Sequence, residues 1–182
     1  MTLQLFKWMM ALALMLYLPL LFERVRGMRH QEGKHSDTYV KERVESAYFD
    51  VTHFYNSLSG EAGSQVAQWH DFDRLYCSDA WNRQVEELSE TPFFDRNYWL
   101  GSSSLDFLYA NKVEVIDRSG DQATVSLTLH NGNHAVPVLL MMTFEHDDWQ
   151  IDNMTYYWNE KPSTRYYDWR QEMENYAENN NT

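Results

Sequence analysis

The spacing of apolar residues changes near Asn111, from the helical period of about 3.6 residues to the strand period of 2. Before that point, apolar side chains recur every three or four residues, as on one face of an amphipathic helix. After it, apolar and polar residues alternate, as in half-buried strands. Helices followed by strands predict one α+β domain, with the helices packed on one face of an antiparallel sheet.

Three helices are expected before the change of period. The first is capped by Thr38 and ends before Ser59-Gly60. The second covers residues 65–75, and the third begins at Ser78 or Asp79 and ends at Leu88. The apolar positions of the three helices are Val40, Val44, Tyr48, Val51, Tyr55 and Leu58, then Val66, Trp69, Phe72 and Leu75, then Trp81, Val85 and Leu88. Pro92 opens an aromatic loop over residues 93–104, and a short helical turn is expected over 104–109.

Four strands are expected after Asn111, and together they form a curled antiparallel meander. Turns are predicted at residues 118–121, at Asn131-Gly132 and at residues 146–148. The fourth strand covers residues 149–157. A last helix is then expected to open at Pro162-Ser163, because Tyr166, Trp169, Met173 and Tyr176 follow at helical spacing.

Residues 8–22 form an apolar run that indicates a membrane segment. As a helix the run spans about 22 Å, and extending it to residues 3–22 brings it near the bilayer core of about 30 Å. Its one Ala-x-Ala motif, at residues 11–13, lies inside the run, where a signal peptidase site does not belong. We therefore expect an uncleaved anchor over residues 1–24 that contacts the membrane through residues 3–22, and a linker over 25–37. A cleaved signal peptide and a buried hydrophobic helix are the alternatives.

The charge of the chain is uneven and limits its partners. Residues 40–182 carry 24 acidic and ten basic residues, a net charge of −14, within a chain of net charge −12. A nucleic-acid partner is excluded, because phosphate contacts need a basic face. A basic protein is the partner that such charge would attract. The acidic residues at 145, 147, 148 and 152 are either part of that attraction or a solvated face.

Residue types that carry chemistry are present but do not form a recognisable catalytic or metal-binding pattern. Asp50 and His53 fall off the apolar face of the first helix and are expected to face solvent; an acid–base pair with Asp106 and Tyr109 is the alternative. His130 and His134 flank a turn, and residues 146–148 form another, so both groups are interpreted as turn residues rather than ligands. The single cysteine, Cys77, excludes an internal disulfide and is expected to be a buried structural thiol. No catalytic residue, cofactor or metal is predicted.

Aromatic residues are the remaining candidates for a binding surface. A first group of aromatic residues is expected to cover one face of the sheet. These residues either belong to the hydrophobic core or line a concave binding surface: Trp69, Phe72, Trp81, Phe93, Phe94, Tyr98 and Trp99. A second group either packs the last helix on the sheet or forms an exposed apolar patch: Tyr156, Tyr157, Trp158, Tyr166, Tyr167 and Trp169. The candidate binding surface comprises Trp99, Tyr98, Tyr156, Tyr157, Trp158 and Trp169.

Five short motifs carry a family resemblance by their order and spacing. They are Phe54-Tyr55, residues 75–78 (Leu-Tyr-Cys-Ser), residues 95–100 (Asp-Arg-Asn-Tyr-Trp-Leu), Val113-x-Val115 and residues 149–154 (Trp-Gln-Ile-Asp-Asn-Met). Over residues 40–157 the chain resembles the bacterial domain of unknown function 3828 family, within the nuclear transport factor 2-like superfamily of cone-shaped α+β domains. The resemblance implies such a cone over residues 38–158, to which residues 159–182 add a C-terminal helix and tail. The family has no established catalytic residues to carry over. Many of its members are exported lipoproteins or other envelope proteins, whereas this chain has no cysteine after its apolar run for lipid attachment.

The sequence thus predicts a membrane-anchored envelope protein with a non-catalytic protein-interaction or scaffold domain. The resemblance implies a single-pass protein of the bacterial inner membrane with its domain in the periplasm. The basic residues Arg24, Arg26, Arg29 and Lys34 outnumber Lys7, and the charge-bias rule places the domain in the cytoplasm instead, so the orientation stays open. The alternative function is a small-ligand-binding or enzymatic member of the ketosteroid-isomerase-like superfamily. A pocket with two ionisable groups inside the cone would favour that alternative. An interior filled by side chains such as Trp149, Phe144 and Met142 would place binding on the outside.

Overall fold

The computed structural model describes residues 33–57, 66–89, 91, 98–100, 107–160 and 163–180. The chain divides into residues 1–39 and a second compact unit, Val40–Thr182. The apolar run at residues 8–22, Leu58 and most of the aromatic loop lie outside the described residues, Phe93, Phe94 and Asp106 among them. Among the helices that the structure describes, none combines the length and apolar character needed to cross a membrane.

Helices come first and strands second, and the described part of the chain holds four helices and five strands. They are α1 Asp37–Ser57, α2 Val66–Tyr76, α3 Asp79–Leu88, β1 Leu108–Ser119, β2 Gln122–Asn131, β3 His134–Glu145, β4 Asp148–Glu160, β5 Ser163–Asp168 and α4 Trp169–Asn180. The strands form one antiparallel sheet in the order β1-β2-β3-β4-β5. The predicted α+β class and antiparallel meander are confirmed.

The sheet has five strands rather than the expected four. Residues 163–168, which were expected to open the last helix, instead pair with the end of β4, from Glu160 opposite Ser163 to Thr155 opposite Asp168. Thr and Tyr are good strand formers, and the pairing satisfies their backbone groups against a neighbouring strand. The last helix begins at Trp169, where the Asp168 carboxylate accepts a hydrogen bond from the Gln171 amide at 3.1 Å in the manner of an N-cap.

The first helix buries the face that its apolar spacing predicts. The buried residues of α1 are Val40, Val44, Ala47, Tyr48, Val51, Thr52 and Tyr55. Its start is one detail that the prediction had wrong. The Ser36 hydroxyl accepts from the Tyr39 amide at 3.2 Å, so Ser36 caps the helix and Thr38 lies inside its first turn.

The next two helices differ in how well their spacing predicts their burial. The Ser78 hydroxyl caps α3 by accepting from the Trp81 amide at 3.0 Å, and Trp81, Val85 and Leu88 are buried as expected. In α2, by contrast, Leu75 is 58% exposed and Asp73 is 1% exposed. The helix turns Asp73 inward because buried donors elsewhere in the chain hydrogen-bond its carboxylate, as described below.

The core lies between the helices and the apolar face of the sheet. The buried residues on that face of β2, β3 and β4 are Ala123, Val125, Leu127, Leu129, Val138, Leu140, Met142, Trp149, Ile151, Met154 and Tyr156. The opposite face of β2 carries the half-buried Thr124, Ser126 and Thr128. The edge strand β1 has two register shifts, and Lys112 in the first has a left-handed φ of 54°. The helical turn expected over 104–109 is wrong at its end, since Leu108 and Tyr109 begin β1.

Candidate functional site

Large side chains occupy the described interior of the domain, where a ligand pocket was the alternative expectation. Trp149 and Met142 are buried, and Phe144 is half-buried and stacks edge-on against Trp149. The hydroxyls of Tyr48 and Tyr156 lie 3.4 Å apart, and Tyr156 also donates to the Trp99 carbonyl at 2.8 Å. Burial raises the pKa of both phenols, so both are neutral at physiological pH. These polar groups connect α1, β4 and the segment at residues 98–100.

Asp73 is the carboxylate at the centre of a buried polar network. It accepts hydrogen bonds from the Tyr98 hydroxyl and from Trp99 Nε1, the latter at 3.0 Å. The Cys77 thiol lies 3.8 Å from its Oδ1. Burial, reinforced by the negative charge of Asp73, raises the pKa of the Cys77 thiol and of Tyr98, so both remain protonated donors. The network holds residues 98–100 against α2, and Cys77 is a buried free thiol as predicted.

Most of the residues predicted as a binding surface are in the core. Trp99, Tyr98, Tyr156 and Trp169 are each at most 2% exposed, and Tyr157 is half-buried. Tyr98 makes edge contacts with both Trp81 and Trp169. The side chains of Trp158, Tyr166 and Trp69 lie outside the described part of the structure. Of the second aromatic group, Tyr167 contacts Trp169 of the last helix edge-on, with ring centroids 4.7 Å apart.

Two of the motifs that carry the family resemblance meet where α2 joins α3. Cys77 forms an isolated parallel bridge to Ile151, and the Ser78 amide donates to the Ile151 carbonyl at 2.9 Å. The Ser78 hydroxyl donates to Asp152 at 2.6 Å. Arg170 Nη2 donates to both the backbone and the carboxylate oxygens of Asp152, at 2.6 and 2.8 Å. These residues join α3, β4 and α4, which is a structural role.

Arg43 of α1 forms a second junction, with the beginning of β4. Its Nε donates to the Trp149 carbonyl at 3.2 Å, and it pairs with Asp148 at 3.3 Å. Its guanidinium lies over the Tyr76 ring, 4.5 Å from the centroid. The Tyr76 hydroxyl donates to Asp50, which is therefore half-buried rather than fully solvent-facing as expected. His53, the proposed partner of Asp50, is exposed.

A polar groove lies on the surface of α2 and α3. It has a volume of about 440 Å³ and is lined by Arg74, Asp79, Asn82, Val85, Glu86 and Ser89. Beside it, ligand-type atoms of Asp79, Glu145 and His146 lie within 4.8 Å of one another. Those atoms are already engaged: Glu145 accepts from the Asp79 amide at 2.6 Å, and His146 Nε2 lies 2.9 Å from the Asp79 carboxylate. The carboxylates of Asp79 and Glu145 therefore interact favourably with the positive end of the α3 dipole. Their hydrogen bonds join the first turn of α3 to the turn between β3 and β4.

The histidines of the β2–β3 hairpin do not share a site with those groups. His130 stacks on Tyr109, with ring centroids 4.3 Å apart, and its Nε2 lies 3.2 Å from Asn111 Oδ1. His134 is exposed and lies opposite Asn131 in the register of the hairpin. Both positions fit the interpretation as turn residues.

Sequence reasoning missed a set of large apolar side chains that face solvent. They are Phe49, Leu75, Phe107, Tyr109, Ile116 and Met141. One signal was available for Phe49, because its position falls on the polar side of α1 between Glu45 and His53. These side chains, unlike the buried aromatic cluster, are accessible on the surface of the domain.

Comparison with known proteins adds no relative, since no protein-family model, no curated protein and no solved structure matches the chain. The resemblance to the domain of unknown function 3828 family therefore stays a prediction.

Proposed function

We propose that the chain is a membrane-anchored protein whose acidic domain is a non-catalytic protein-interaction or scaffold module. In this proposal residues 1–24 are the anchor, residues 25–37 are a linker, and the domain is a nuclear transport factor 2-like cone. The family resemblance favours a bacterial inner membrane with the domain in the periplasm. The five-stranded meander with helices on one face is compatible with such a cone.

The observation that carries the proposal is the contrast between the interior and the surface. Inside, Trp149, Tyr48 and Tyr156 fill the space beside the sheet, and the polar groups there hydrogen-bond neighbouring elements. Outside, Phe49 and Phe107 are 66% and 69% exposed on an otherwise acidic domain. Exposed aromatic side chains that are held in place are typical of protein-binding surfaces.

The placement is tested by fractionating the cells that make the protein and by adding protease from outside the inner membrane. We expect the intact chain in the inner-membrane fraction and the domain degraded in spheroplasts. A domain that is protected until the membrane is permeabilised would reverse the orientation. Intact protein in the soluble fraction would overturn both the anchor and the placement.

The interaction is tested with a photo-crosslinking amino acid at exposed positions of the full chain in living cells. We expect positions on one part of the surface to give a crosslinked species of one mass, and the matched exposed position Glu178 at the end of α4 to give none. Protein that crosslinks at no surface position would count against an interaction module and favour the ligand-binding alternative.

A further inference from the structure

Exposed side chains lie along the outer side of α1 and at the start of β1, and Asn56 links the two groups. This α1–β1 strip consists of Glu42, Glu45, Phe49, His53, Asn56, Phe107 and Tyr109. The residues on α1 are three or four positions apart, so they share one side of the helix over about 21 Å. That side is separate from the buried face, which centres on Val44, Val51 and Tyr55.

Asn56 connects the two halves of the strip. Its Nδ2 donates to the Leu108 carbonyl at 2.7 Å, and the Leu108 amide donates to its Oδ1 at 2.8 Å. The side-chain amide thus pairs with the edge of β1 as another strand would. Phe107, the residue before Leu108, is held beside it, and its carbonyl accepts from the Gly132 amide at 3.0 Å.

The exposed rings of the strip are held by neighbours instead of projecting freely. Phe49 stacks on His53 with the ring planes 4° apart and the centroids 5.7 Å apart. Tyr109, 41% exposed, stacks on His130 with an interplanar angle of 3°. Phe107 lies 6.1 Å from the Tyr109 ring. A partner that binds preordered rings loses less conformational entropy on binding.

The charge of the strip defines the chemistry that fits it. Glu42 and Glu45 are exposed at the end of the strip away from Asn56, and Lys41, 3.7 Å from Glu45, balances one of them. The remaining charge is negative and belongs to a domain of net charge −14. Cations are attracted to the carboxylates and to the faces of the aromatic rings, whereas an anionic membrane surface is repelled.

From these contacts we infer that the α1–β1 strip binds a protein segment with apolar side chains at one end and lysine or arginine at the other. The apolar end packs on Phe49, Phe107 and Tyr109, and the basic end reaches Glu42 and Glu45. This inference rests on the proposed function, because it assigns the surface and the partner chemistry of the interaction module.

The test uses the full chain in nanodiscs of zwitterionic lipid and a fluorescent 15-residue peptide with Leu and Trp in one half and Lys in the other. Anisotropy measures binding, and signal from empty nanodiscs is subtracted. We expect at least tenfold tighter binding of this peptide than of its counterpart with Glu in place of Lys. F49S and F107S should each weaken binding about tenfold or more, and the E42K/E45K pair should shift the preference toward the Glu peptide.

Two matched control variants distinguish specific binding at the strip from nonspecific binding to exposed apolar side chains. L75S and M141S remove exposed apolar side chains outside the strip, and we expect them to change binding less than twofold. Equal weakening by strip and control variants would overturn the inference, as would binding of the Glu peptide as tightly as the Lys peptide. Absence of binding to both peptides would also overturn it. So would tighter binding of the domain to nanodiscs of anionic lipid than to the peptide.

The same variants distinguish this inference from the proposed function. If photo-crosslinks form in cells but F49S and F107S leave them unchanged, the inference about the α1–β1 strip is wrong. The proposal that the domain is an interaction module is then retained. If crosslinks are absent at every surface position and the peptide does not bind, both are overturned.

Discussion

Asp73 illustrates how one polar residue decides the packing of several aromatic ones. Its carboxylate is 1% exposed and hydrogen-bonds Tyr98 and Trp99, whose rings would otherwise bring an unsatisfied hydroxyl and indole N–H into the core. Because those donors lie within the aromatic loop predicted over residues 93–104, the network ties residues 98–100 to α2. The aromatic residues predicted to bind a partner are thereby held inside.

Removing this carboxylate is expected to destabilise the domain strongly. D73A leaves buried donors without an acceptor, so we expect a loss of about 2–4 kcal/mol in the free energy of unfolding. D73N, which keeps one acceptor oxygen, should cost less. Urea denaturation measures both. D71A on the same helix removes an exposed carboxylate and should change stability by less than about 0.5 kcal/mol. Equal effects of D73A and D71A would contradict the role of Asp73.

His146 provides a pH-dependent contact at the surface. Its hydrogen bond to Asp79, and secondly the charge of that carboxylate, raise its pKa above the usual value. A histidine with a raised folded pKa stabilises the fold fully below its unfolded pKa, near 6.5, and loses that contribution as the pH rises through the folded pKa. NMR titration of the His146 ring should show the elevation, and D79N should lower the pKa toward 6.5. D121N, on a neighbouring turn, is the control and should leave it in place.

At the scale of elements, the C-terminal helix depends on contacts to β4. Trp169 and Met173 are buried, the Arg170 amide donates to Asn153 Oδ1 at 3.1 Å, and the Arg170 guanidinium binds Asp152. Since Asp152 also accepts from Ser78, the start of α3 and the start of α4 share one carboxylate. The two helices are thus positioned by the same residue of the sheet.

Replacing Arg170 by alanine is expected to loosen α4 while leaving the sheet intact. Hydrogen bonds to charged groups contribute about 1.5–3 kcal/mol, which corresponds to a loss of protection of roughly ten- to 100-fold. Amide hydrogen exchange should show this loss in residues 170–180 and unchanged protection in β2 and β3. E174A, at an exposed position of α4, should leave α4 protected. Faster exchange throughout the sheet in R170A would mean that α4 is not a separate unit.

Structure could be predicted from the sequence where it depends on neighbouring residues, and could not where it depends on contacts between distant segments. The face of α1 and the capped start of α3 follow from spacing and from Ser78, which act within a few residues. β5 was missed because its strand state depends on pairing with β4, while Tyr166, Trp169 and Met173 also fit a helical period. Asp168 was the overlooked signal for the true helix start. The burial of Tyr98 and Trp99 depends on Asp73, 25 and 26 residues away, and no local pattern reports that contact.

At the scale of the whole molecule, the excess of acidic residues affects the stability of the fold. A net charge of −12 repels itself in the folded state. Ion pairs of Arg43 with Asp148 and of Arg170 with Asp152 use two of the basic residues within the domain.

Salt is therefore expected to stabilise the protein near neutral pH. Raising NaCl from 0.02 to 0.5 M shortens the Debye length from roughly 20 Å to about 4 Å and screens this repulsion. We expect the midpoint of thermal unfolding, followed by circular dichroism, to rise by a few degrees at pH 7. Near pH 4.9, where the net charge approaches zero, the same salt step should have little effect. A midpoint that falls with salt at pH 7 would show that attractive pairs outweigh the repulsion.

Because Cys77 is buried, the reaction of its thiol with a reagent measures local unfolding of the protein around it. The chain has one thiol, and burial raises its pKa well above the usual value, so the reactive thiolate is scarce while the fold is closed. Cys77 lies where α2 meets α3 and bridges Ile151. A thiol reagent therefore labels the native protein at the rate at which this junction separates from β4. Cysteines introduced on the surface for fluorescent dyes can be labelled selectively without first removing the natural one.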